Sequence, residues 1–135
     1  MRRSRRTLLA LAAASLVVAA CGTPGTFIPD ERNFAGVWVA TLPAASGGGE
    51  RTLTLSLNLD SSATLATRFS GREGETADRG SWSAVGLRVT VSLATADDRR
   101  APQRLVFELR GQELVPVDWN RALWGEAGPG TYRRR

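Results

Sequence analysis

The sequence predicts an all-β domain, a small eight-stranded antiparallel up-and-down barrel, preceded by an N-terminal signal segment. Three observations carry that expectation. Apolar residues recur at every second position over most of the chain after residue 33, the period of a strand whose side chains alternate between two faces. Turn-forming residues punctuate these runs at short, regular intervals, as in sandwiches and up-and-down barrels. Outside the first 20 residues, no segment has the period of an amphipathic helix. Eight strands close a barrel whose interior is either filled by side chains or holds one small ligand.

The chain begins MRRSRR, with four arginines in six residues, and continues through an uncharged apolar run of 13 residues, 8–20 (LLALAAASLVVAA). A membrane-crossing helix needs about 20 such residues. A basic start, a short apolar centre and small residues at the end describe an export signal instead. Val18-Ala19-Ala20-Cys21 resembles the lipobox of bacterial lipoproteins. That resemblance implies cleavage before Cys21 and transfer of a diacylglyceryl group to its thiol. The competing reading is an ordinary secretory signal followed by a free cysteine. Each buried methylene is worth about 0.8 kcal/mol and a single acyl chain binds only marginally, so several chains on Cys21 make a durable tether. SRRTLL, residues 4–9, also resembles a twin-arginine export signal, but every basic residue here is arginine and adjacent pairs arise easily. The twin-arginine reading is discounted on that ground.

Residues 22–33 (GTPGTFIPDERN) are rich in turn formers and are expected to serve as a spacer. The domain plan is therefore signal peptide 1–20, lipidated cysteine and spacer 21–33, and barrel 34–135. The first strand, about 34–42, carries Gly36 and Trp38 on one face. The second, about 51–60, is the clearest: Leu53, Leu55, Leu57 and Leu59 alternate with Thr52, Thr54, Ser56 and Asn58. Four leucines point one way and four small polar groups the other. The third, about 63–70, aligns Ala63, Leu65, Thr67 and Phe69, and the fourth, about 78–84, contains Trp82. The fifth, about 86–94, presents Leu87, Val89, Val91 and Leu93, and the sixth, about 103–110, presents Leu105, Phe107 and Leu109. Strands at about 113–119 and 130–134 complete the set. Turns are expected at DSS after Leu59, at SAVG after Trp82, and at Gly111-Gln112, where a leading glycine suits a type II′ hairpin. Longer loops fall at 70–79, 94–102 and 120–129.

Composition excludes several function classes. Four of the 18 arginines lie in the signal, leaving 14 against 13 acids, and three of those 14 close the chain as Arg133-Arg134-Arg135. A nearly neutral domain has no basic face on which nucleic acid would condense. The chain has no histidine, and Cys21 is its only cysteine, so neither an intramolecular disulfide nor a soft-metal site is expected. Serine nucleophiles want a positioned base, and imidazole is absent from the chain. Ser46 beside Gly47-Gly48-Gly49 lacks the Gly-Lys-Ser/Thr ending of a phosphate loop and precedes a strand, which makes it a hairpin turn. Glu73, Glu75 and Asp78 with Arg72 and Arg79, and the run Asp97-Asp98-Arg99-Arg100, are taken as solvated charge. No enzyme activity, metal or cofactor is expected.

From residue 34 onward the chain resembles the N-terminal barrel domain of the NlpE family of copper-resistance lipoproteins. The resemblance runs through FAGVWVATLP, the glycines 47–49, TLTLSL, Gly80-Ser81-Trp82, ELVPVDWN and GTYRRR. It implies the barrel fold and a place in the cell envelope. The family's C-x-x-C step falls here on Ala44-Ala45-Ser46-Gly47, so copper binding and disulfide signalling do not carry over. Asn33 to Trp38 also resembles the lipocalin G-x-W signature, which implies that Trp38 closes one barrel end beneath an arginine such as Arg133. Trp38, Trp82, Trp119 and Trp124 are thus the candidate barrel-end or ligand contacts, and Cys21 is the candidate lipidation site. Trp119 and Trp124 flank a loop, where the expected role is packing over the barrel mouth and the alternative is a contact surface.

The expected function is a non-enzymatic accessory in envelope stress or surface contact, held to a membrane by its lipid and acting on envelope proteins. The alternative is a lipocalin-like carrier of a small hydrophobic ligand. Gly22 after Cys21 favours the outer membrane where a cell has two, by likeness to bacterial lipoprotein sorting.

Overall fold

The computed structural model describes residues 31–44, 49–94 and 102–135. Cys21, the apolar run and most of the expected spacer lie outside these residues, as do parts of two loops. The eight strands are β1 Gly36–Leu42, β2 Arg51–Leu57, β3 Ser62–Phe69, β4 Thr76–Val85, β5 Arg88–Ala94, β6 Gln103–Arg110, β7 Glu113–Asp118 and β8 Tyr132–Arg134. Each pairs antiparallel with the next, and β8 returns to β1 through Trp38 opposite Arg134 and Val39 opposite Arg133. The sheet is a closed up-and-down barrel, as the alternating pattern requires.

Alternation decides which side chains fill it. Leu53, Leu55 and Leu57 of β2, Ala63 and Leu65 of β3, Val89, Val91 and Leu93 of β5, and Leu105 and Phe107 of β6 are all buried in one core. Leu114 and Tyr132 join them from β7 and β8. Burying a side chain of this size is worth about 1.5–3 kcal/mol, so the leucine row of β2 is a principal source of stability.

Strand boundaries account for where the expected faces fail. Leu59 is not inside: β2 stops at Leu57, and Leu59 stands in the following turn with 71% of its surface exposed. Leu87 is likewise outside the core, because β4 runs on through Val85 and the hairpin falls on Gly86-Leu87 rather than on Ser83 to Gly86. Gly86 (φ 59°) and Gly111 (φ 60°) each lead a two-residue loop, the place where a positive φ favours glycine. β4 starts at Thr76, so the loop before it is shorter than expected. The 120–129 region contains one helical turn, Arg121–Trp124, whose N-cap Asn120 accepts a hydrogen bond from Ala122 N–H at 2.9 Å. A capping asparagine can nucleate such a turn without any helical period in the sequence.

Gly80 is required for another reason. A Cβ there would sit 1.8 Å from the carbonyl oxygen of Ser92 on the neighbouring strand. The β4–β5 approach at this point therefore depends on the missing side chain.

Candidate functional site: a capped end and a looped end

The barrel has two unlike ends. Three short turns meet at one: 58–61, 86–87 and 111–112. The same end receives the N-terminal segment, in which Glu31–Asn33 forms a 3-10 turn. The Glu31 carbonyl accepts from Phe34 N–H (3.0 Å) and Ala35 N–H (3.1 Å), folding the fully buried Phe34 ring into the barrel. Trp38, also buried, donates its indole N–H to the Phe34 carbonyl at 2.8 Å. Trp82 lies beside Phe34, ring centroids 6.5 Å apart, and donates its own N–H to the Asn58 carbonyl at 2.8 Å. The plug at this end is thus aromatic, with both indole N–H groups satisfied.

An arginine covers Trp38, and it is Arg134 rather than the expected Arg133. Its guanidinium carbon stands 4.5 Å from the indole centroid, within cation–π range. It donates to the Ala35 carbonyl at 2.9 Å and to the Asn33 carbonyl. Arg133 faces outward and pairs with Glu113 at 2.8 Å. Strand parity is the cause: Tyr132 points into the barrel, so Arg134 shares its side and Arg133 does not. Gly36, at φ 136°, leaves room for this arginine, since a Cβ would lie 3.0 Å from Arg134 Nη1.

At the other end lie the strand ends from which the longer connections leave, Leu42, Phe69, Ala94 and Asp118, with the described segments 70–75 and 119–131. The last of these folds back onto the barrel. Trp119 donates to the Gly125 carbonyl at 2.9 Å, with the Arg121 guanidinium 5.8 Å from its ring. A Cβ on Gly128 would meet the Trp119 indole at 2.8 Å, and one on Gly130 would meet Leu42 at 2.7 Å. Trp124 donates its N–H to Gln103 Oε1 at 3.0 Å, and Gln103 Nε2 donates to Asp78 Oδ2 at 3.2 Å. Both tryptophans are partly buried against the core, packing over the mouth.

The four candidate tryptophans are therefore divided, Trp38 and Trp82 at the capped end and Trp119 and Trp124 at the looped end. Cys21 lies outside the described residues. Sequence reasoning missed Phe34, Arg134 and Gln103 as members of these clusters, although the parity of Arg134 with Tyr132 was a usable signal. It also missed the Tyr132 hydroxyl, which is buried without a hydrogen-bond partner among the described residues. The Tyr132 ring meets Phe107 edge-on at 5.3 Å. Burial raises its phenol well above the ordinary tyrosine range, opposed only by the charge of Arg51. Among the described residues no cluster of three or more metal-ligating side chains exists.

No family model matches the chain, and neither a curated protein nor a solved structure matches it. Its class rests on the architecture: a closed eight-stranded barrel, aromatic-plugged at one end and roofed by a folded loop at the other.

Proposed function

We propose that the protein is an envelope lipoprotein, anchored through acylated Cys21, whose barrel works by surface contact rather than by catalysis. The observation carrying this reading is the filled interior. Phe34, Trp38, Phe107, Tyr132 and the inward leucines are all fully buried and pack against one another, leaving the outside of the barrel and its loops as the working surface. The lipobox-like Val18-Ala19-Ala20-Cys21 supplies the location, and the absence of histidine from the chain removes the commonest general base. The partners on this reading are envelope proteins met by the looped end, through the segments 70–75 and 119–131.

Cys21→Ala tests the anchor. The variant is expected to leave the membrane fraction, and undiminished membrane retention contradicts the reading. In-cell crosslinking from the looped end is expected to trap envelope proteins. A barrel that crosslinks to nothing under any envelope stress refutes the contact role.

One observation favours the carrier as a second reading. The Tyr132 hydroxyl, buried without a partner among the described residues, is a polar group in an apolar interior, and such groups ordinarily find one. An interior ligand carrying a hydrogen-bond acceptor would satisfy it. Uptake of an apolar fluorescent probe, lost in Leu105→Trp, supports the carrier; an excluded probe removes it.

A further inference from the structure

The described residues expose five large hydrophobic side chains, and three of them stand on the turns of the capped end. Leu59 is 71% exposed in the β2–β3 turn, and Val85 and Leu87 are 82% and 48% exposed at the β4–β5 hairpin. No packing requirement explains them, since each lies beyond the last inward position of its strand. Arginines share this rim: Arg32, Arg88, Arg110, Arg133, Arg134 and Arg135, all exposed. The carboxylates there are Glu31, Asp60, Glu108 and Glu113. Arg88 and Arg110 divide the single Glu108 at 3.7 and 3.1 Å, so the rim carries an excess of positive charge. Arg32 and Arg134 also wall a cleft of about 330 Å³ between the 3-10 turn and the β6–β7 hairpin. Protruding apolar tips among arginines are the chemistry of an interface that meets lipid acyl chains and anionic headgroups together.

The covalent path leads to the same end. The chain enters the fold at Glu31, and the ten residues from Cys21 to Asp30 reach at most about 35 Å when fully extended. A lipid on Cys21 would therefore keep this rim within about 35 Å of the bilayer, nearer the anchor than the looped end, and the docking chemistry of the rim decides the orientation.

We infer that the capped end is a membrane-docking face: Leu59, Val85 and Leu87 enter the interfacial region of an anionic bilayer while the surrounding arginines engage its phosphates. The nearness to the bilayer rests on Cys21 being the tether, whereas the docking chemistry, and with it the orientation, belongs to the rim itself. In this pose the looped end, with Trp119, Trp124 and Leu123, faces away from the membrane.

Lipid photocrosslinking tests it on the protein as isolated from cells. The protein is placed in vesicles of phosphatidylcholine and phosphatidylglycerol that contain a photoactivatable phospholipid, and adducts are mapped by peptide mass spectrometry. Adducts are expected severalfold more often on peptides carrying Leu59, Val85 and Leu87 than on the peptide carrying Leu123. The bias should weaken in phosphatidylcholine alone and at high salt. Equal labelling of both ends, or heavier labelling at Leu123, overturns the inference. The intact mass of the same sample keeps the two claims apart. An acylated protein without adducts on the rim loses the docking face and keeps the tether. Rim adducts on a protein without acyl chains do the reverse.

Discussion

Tyr132 and Gly80 are the residues at which the physics is most local. The buried Tyr132 hydroxyl has no hydrogen-bond partner among the described residues, so its burial opposes folding rather than helping it. Tyr132→Phe should leave the denaturant midpoint unchanged or raise it at neutral pH. Because the folded phenol titrates above its unfolded value of about 10, its neutral form is the one that folding favours. Stability is then fully present below about pH 10 and falls as pH rises beyond it. The variant should lose part of that alkaline decline, as unfolding curves at neutral and alkaline pH would reveal; an unchanged decline argues against the buried phenol. Gly80→Ala forces a methyl into the Ser92 carbonyl. A cost of about 3 kcal/mol, the upper range for overpacking, is expected in urea denaturation. Arg134→Lys keeps the charge but removes the planar fork that holds Trp38, Asn33 and Ala35 together. A loss of about 1–2 kcal/mol is expected, while Arg133→Lys, at an exposed ion pair, should cost under about 1 kcal/mol.

Among the elements, those with strict alternation were the most legible. The row Leu53, Leu55, Leu57 could face only one way, and β2 lies where the pattern placed it. Element ends were less legible, because Leu59 and Leu87 continue the alternation after the hydrogen-bonded ladder has stopped. A period says which face a side chain would take and nothing about where pairing ends. The 119–131 segment was legible only in part. Its tryptophans announced contact, but the Asn120 cap, the seat of Trp119 on Gly128 and the Trp124–Gln103–Asp78 chain depend on residues distant in sequence. Trp124→Phe should detach this roof by leaving Gln103 Oε1 without its donor, at a cost of about 1 kcal/mol. Limited proteolysis after Arg121 is the sensitive reading: cleavage should accelerate many-fold while the barrel's thermal midpoint falls by only a few degrees. A roof as resistant as wild type would show that the indole hydrogen bond is dispensable.

Over the whole molecule, closure distributes the roles. Pairing β8 to β1 closes the sheet, although the short β8 covers only Trp38 and Val39 of β1 and Glu113 and Leu114 of β7. That closure depends on the short β8, three residues whose inward members Tyr132 and Arg134 belong to the core and the cap. Two ends remain, one aromatic-plugged, arginine-rimmed and joined to the incoming chain, the other looped and roofed. The likeness to lipoproteins in the first 21 residues and the alternation after residue 33 pointed to tether and barrel separately. Their spatial relation was not legible, because it depends on which barrel end receives Glu31. Native mass spectrometry of the protein extracted from membranes addresses the proposed tether and the filled interior together. The expected species is a chain beginning at Cys21 that carries acyl chains and no further bound molecule. A chain still bearing its first 20 residues, an unmodified Cys21, or a stoichiometric apolar cargo retained with the barrel would contradict the account.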